Sequence, residues 1–123
     1  MIEAKYQKTL KTLISQELSK GNNFQFTVST LSMSPLVRPQ DAIIVRKESL
    51  DNLRCGDIIV FERLQELCTH RFLSKKVFDS SIKLITKGDN SLVIDKPVAE
   101  QNFIGKVIVI KKEDKVINLE STF

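Results

Sequence analysis

The 123-residue chain has no tryptophan, one tyrosine and one histidine. Cysteine, proline and glycine are scarce too, at two, three and four residues. Each scarcity excludes something. One imidazole and two thiols outside any C-x-x-C spacing do not readily build the usual zinc ligand sets, so neither metal nor cofactor is expected. Cys55 and Cys68 read by default as free thiols of a reducing compartment rather than as a disulfide framework. No run is long and apolar enough to cross a bilayer. The opening MIEAKYQKTLKTLISQELSKG lacks the continuous apolar stretch and small-residue cleavage site of a secretory leader. A cytoplasmic protein is expected. Lys and Arg total 19 against 15 Asp and Glu, a net charge of +4. These charges are scattered among each other and not interleaved with aromatics, so no nucleic-acid partner is expected.

What is there suits one domain, 1–123, with one modest core. Residues 1–21 have helical period: Tyr6, Leu10, Leu13, Ile14 and Leu18 fall on one face of a 3.6-residue repeat. Gly21 and the two asparagines after it mark the stop. Docking on the body of the domain is the expected role of this helix. Peripheral contact with a membrane is disfavoured, because the apolar face is short and lacks Trp or Phe anchors.

From residue 24 to 119 the period is two. Phe24, Phe26 and Val28 alternate with polar residues. AIIVRK (42–47) and DIIVFER (57–63) are β-branched runs, the second introduced by a Cys-Gly-Asp turn. LCTHRFLSKKVF (67–78) reads as a long, bent strand returning through FDSS into IKLITK (82–87). GDNSLVIDKP (88–97) reads as a loop. FIGKVIVIKK (103–112) and KVINL (115–119) form a last hairpin. No internal repeat is apparent. The expected fold is mostly β within an α+β class: compact, antiparallel, a partly open barrel with one N-terminal helix.

The chemistry concentrates in STLSMSPLVRPQD, Ser29 to Asp41. Ser32 stands just after a predicted strand, and Pro35 restricts the backbone on its own side of the turn. A serine is a poor nucleophile until a base takes its proton. His70, the only imidazole, lies in a predicted strand where its direction is defined. Asp89 and Asp95 share one polar loop and are both candidates to hold its ring. The plainer readings are a turn hydroxyl for Ser32, a half-exposed packing residue for His70 and a turn acid for Asp89.

The ordered set SMSP, RPQDAIIV, CGDIIVF, THR, TKGDN and Asp95 resembles the S24/S26 peptidase superfamily, and most closely its histidine-using signal-peptidase-like branch. The match runs from about Val28 to Lys111. The resemblance implies a signal-peptidase/LexA-like catalytic fold. It implies Ser32 as nucleophile, His70 as general base, Asp95 as the acid completing the triad, Asp89 as a supporting acid, and Met33 packed beside the site. It also implies an oxyanion hole from the Ser32 N–H and the Thr30 hydroxyl. The chain departs from the family pattern at Thr30 and Leu31, where a glycine is usual, and at Gln40, where a glycine follows the RP pair.

The function this implies is serine endopeptidase action on an extended peptide or leader, bound as an added strand against a sheet edge. Activity is then expected to rise through roughly pH 6–7 as the base loses its proton. The alternative is a peptide-binding module of the same fold that has lost turnover, which the missing glycine before Ser32 favours. Cys68, two residues before His70 on the same strand face, reads as a small buried thiol rather than a nucleophile.

Overall fold

A computed structural model describes residues 2–120, with side chains described from Lys11 onward. One helix, α1 (Ile2–Ser19), precedes eight strands: β1 (Phe24–Thr27), β2 (Ala42–Arg46), β3 (Ile58–Arg63), β4 (Glu66–Phe78), β5 (Ser81–Lys87), β6 (Val98–Ala99), β7 (Phe103–Lys111) and β8 (Val116–Asn118). All pairings are antiparallel, in the order β1-β2-β7-β3-β4-β5-β6, with β8 added to β7. The expected mostly-β fold with one helix is therefore present, and its sheet is open.

Strand β7 organises the sheet. One of its edges pairs with β2 over residues 106–111, while the other is shared by β3 near residues 103–106 and β8 near residues 109–111. Register shifts at Ile44/Val45 on β2 and Val60/Phe61 on β3 flank that handover and bend the sheet. Both faces are covered, so β3 reads as a continuous apolar run rather than an alternating one. Ile58 and Val60 enter one cluster with Ile43, Val45, Val107 and Ile110; Ile59 and Phe61 enter a second with Phe72, Leu84 and Val98.

Helix α1 lays Ile14 and Leu18, one turn apart, into the first cluster. Leu13 was expected on the same face, but it is half exposed at 51%. Its position a hundred degrees round from Ile14 carries it past the edge of the buried stripe. The side chains of Tyr6 and Leu10 lie outside the described residues. Lys11 reaches Glu62 on β3 at 3.3 Å.

The expected bend in β4 is a bulge: Phe72 pairs with Thr86 and Ser74 with Ile85, leaving Leu73 over. Both β3–β4 and β4–β5 turn through two left-handed residues, Leu64-Gln65 and Asp79-Ser80. That pattern matches the right-handed twist of a tight hairpin.

Two turns of the chain share one short frame. Arg38-Pro39-Gln40-Asp41 and Arg54-Cys55-Gly56-Asp57 are the same turn, 16 residues apart, each leading into a core strand. In each, the aspartate N–H donates to the arginine carbonyl at 3.0 Å. In each, the arginine N–H donates to the aspartate Oδ2 at 2.8 Å. The third residue has positive φ in both, 80° at Gln40 and 102° at Gly56, as a type II turn demands. Only the R-x-x-D frame and the apolar run after it are shared, too short an echo to stand out by composition.

Candidate active site

The loop after β1, the middle of β4 and the loop after β5 meet at one end of a cleft of about 560 Å³. Its walls are Phe26 to Thr30 on one side and Glu66 to His70 on the other, with Ser32, Met33 and Val37 at its end and floor.

His70 is placed by pairing with Ile59 on β3, which turns its ring to the same face as Phe61. The two rings meet edge to face, 5.8 Å between centroids and 76° between planes. Phe61 is fully buried, so the imidazole rests on a fixed support. His70 Nδ1 lies 2.6 Å from Asp95 Oδ2. An ionised carboxylate only accepts, so Nδ1 is the protonated nitrogen and Nε2 of the neutral ring carries the free lone pair.

Nε2 faces Gly88. A Cβ added to Gly88 would stand 3.3 Å from His70 Nε2 and 2.8 Å from the Ser32 carbonyl oxygen. Glycine here is a matter of space: it lets the serine loop and the imidazole approach one point. The same carbonyl accepts from the Asn90 N–H at 3.0 Å, and the Met33 sulfur accepts from the Asp89 N–H at 3.4 Å. KGDN thus grips SMSP through its backbone. Met33 is buried against the core beneath it. The Ser32 hydroxyl lies 3.1 Å from the Thr30 hydroxyl.

The two candidate acids separate. Asp95 holds the histidine. Asp89 takes both prongs of the Arg71 guanidinium, at 3.1 Å from Nε and 2.5 Å from Nη2, and Arg71 also donates to the Gly56 carbonyl at 2.9 Å. Asp89 is therefore a brace between the KGDN loop, β4 and the second R-x-x-D turn, out of contact with the imidazole. Cys68 lines the cleft and is half-buried rather than buried. Desolvation pushes its thiol above the ordinary range, against an opposing pull from Arg63, which disfavours the reactive thiolate.

Sequence reasoning missed three neighbours: Phe61, Gly88 and Thr86. Thr86 is fully buried and donates to Asp95 Oδ2 at 2.6 Å. Its signal was a hydroxyl in line with Ile82 and Leu84 on the inward face of β5. Among the described residues, no group of His, Cys, Asp and Glu is arranged to hold a metal, and no helix is long and apolar enough to cross a membrane.

An open antiparallel sheet that carries a serine, an imidazole and a carboxylate along one cleft has the layout of a serine-peptidase-like fold. The chain belongs to the Peptidase S24-like family, whose family model matches residues 2–118. No curated protein matches it in sequence.

Proposed function

We propose that the protein is a serine endopeptidase of the signal-peptidase-like type, cleaving an extended peptide or leader with Ser32 as nucleophile and His70 as general base. One observation carries the reading: Asp95 holds Nδ1 of His70, leaving Nε2 turned to Gly88, beside the same point that the Ser32 carbonyl approaches from the other side. Rotation about the Ser32 Cα–Cβ bond releases its hydroxyl from Thr30 and turns it to Nε2. Catalytic hydrogen bonds commonly tighten only when substrate is bound.

Ser32 Oγ then attacks the peptide carbonyl carbon while Nε2 takes its proton. The Ser32 N–H, with the Thr30 hydroxyl as a second donor, is assigned to the developing oxyanion, a type of contact whose loss typically costs about 3–4 kcal/mol of barrier. The tetrahedral adduct collapses, the imidazolium gives its proton to the leaving amine, and Asp95 stabilises the transient charge on the ring. Water, activated by the same imidazole, releases the acyl group. The proposed setting is the cytoplasm, where Cys55 and Cys68, both free, remain reduced.

The test is cleavage of a peptide library read by mass spectrometry, for wild type, Ser32→Ala and His70→Ala. Cleavage by wild type that falls by at least about a thousandfold in both variants supports the reading. Cleavage that survives Ser32→Ala ends it. Peptide binding without cleavage by wild type identifies the turnover-free module instead.

A further inference from the structure

Thr86 shares Asp95 with the histidine. Its hydroxyl donates to Oδ2, the oxygen that also accepts from His70 Nδ1, both at 2.6 Å. Its carbonyl oxygen accepts from the Asp95 N–H at 2.9 Å. One residue therefore holds Asp95 by side chain and by main chain. The pairing of Thr86 with Phe72 anchors it to the same strand that bears His70. Thr86 is completely buried, and among the described residues no buried side-chain polar atom lacks a partner. A buried hydroxyl without its acceptor carries its full desolvation penalty, so this hydroxyl is committed to Asp95.

We infer that Thr86 is a positioning residue: it fixes the carboxylate of Asp95 so that Oδ2 meets the imidazole in one geometry, and it disperses part of the negative charge on that oxygen. A loop carboxylate held only by the histidine swings. Asp95 follows Leu92, Val93 and Ile94, three residues that are mostly exposed and give the loop no core packing. The clamp from β5 supplies what that packing does not. Removing the hydroxyl concentrates charge on Oδ2, which favours the protonated ring, and it frees the carboxylate to rotate, which lowers turnover.

Few other groups bear on the ring. Asp95 comes from the loop after β5, Phe61 from β3 and Gly88 from the start of the KGDN loop. Cys68 shares the β4 face, Asp89 is engaged by Arg71, and Lys87 turns its ammonium to the Gly88 carbonyl at 3.4 Å.

The role assigned to Thr86 rests on the peptidase reading for its effect on turnover, but not for its effect on the imidazole. The chain has one histidine, so the ring protons give a single pair of NMR signals that can be followed against pH with no substrate present. Thr86→Val keeps the shape and removes the hydroxyl; Thr86→Ala removes it while leaving room; Thr86→Ser keeps it. The expected result is a titration midpoint moved to higher pH in Val and Ala and restored in Ser. With it, kcat falls about tenfold in Val and Ala, with KM little changed. A midpoint that stays or falls in both Val and Ala overturns the inference, as does a Ser variant that behaves like Val. If wild type proves to have no Ser32-dependent cleavage, the peptidase reading fails while the titration still decides the role of Thr86.

Discussion

At the scale of single residues, the site depends most on what is missing from position 88. The nearest atom to a Cβ there is a backbone oxygen, at 2.8 Å, not the free end of a side chain. Gly88→Ala therefore forces the Ser32 loop or the KGDN loop to move, and both are tied: Ser32 to Asn90, Met33 to Asp89. Overpacking of this kind costs about 1–3 kcal/mol. The displacement lies where the proposed nucleophile and base must converge, so kcat is expected to fall roughly a hundredfold, well beyond what the stability loss explains. Thermal unfolding and steady-state kinetics on the same preparation separate the two. A Gly88→Ala protein with unimpaired kcat would show that the Ser32 backbone does not approach His70 here in the working enzyme.

At the scale of elements, the two R-x-x-D turns do the same work in two places. Each fixes the start of a core strand by returning an aspartate side chain to the backbone of the turn. The first is the more charged. Burial alone would raise Asp41, but bonds from the Lys112 ammonium and the Arg38 N–H outweigh it and hold the carboxyl below its ordinary range. Because the folded state favours the ionised form, Asp41 stabilises the fold above the ordinary carboxylate range, and that contribution disappears as pH falls through its lowered value. Asp41→Asn is thus expected to lose about 1.5 kcal/mol near pH 7, the scale of a charge-assisted hydrogen bond. The gap in Tm from wild type should close only once the pH has fallen below the ordinary carboxylate range. A gap of constant size down through that range and below it would mean that hydrogen bonding alone, without the charge, makes the turn.

Legibility in the sequence follows the same line between local and distant causes. The strands were readable because β-branched runs and turn residues act within a few positions: AIIV, IIVF and the FDSS return all lie where their chemistry put them. The pairing order was not, since the division of one β7 edge between β3 and β8 depends on contacts far apart in the chain. β6, two residues long, has no pattern to read. In the site, Ser32, His70 and the two acids could be named from their chemistry and from the family resemblance. Chemistry alone left open which acid faces the ring; the resemblance implied Asp95, and in the fold Arg71 holds Asp89. Gln40 is the opposite case. Its place in the RP-x-D turn asks for positive φ, and the backbone adopts it although the residue is not glycine.

At the scale of the whole molecule, the sheet is open. Among the described residues β1 pairs only with β2, which leaves its outer edge unpaired. β4 pairs with β3 from Glu66 to Arg71, but with β5 only from Arg71 onward, so Glu66 to His70 present a second unpaired edge. These two edges form the walls of the cleft that ends at Ser32 and His70. Helix α1 packs near both β1 and β4. The proposed extended peptide substrate, laid in the cleft, would join β1 to β4 and bring its carbonyl to Ser32. Successive backbone N–H groups of a strand point to opposite sides, so a peptide held by both edges uses every amide, and a peptide held by one edge uses every second amide. N-methylation at each position of a cleaved substrate distinguishes these. The expected outcome is a rise in KM of roughly three- to tenfold at consecutive positions before the scissile bond, about one lost hydrogen bond each. An alternating pattern would assign binding to one edge alone, and indifference to methylation at every position would remove strand addition as the mode of binding.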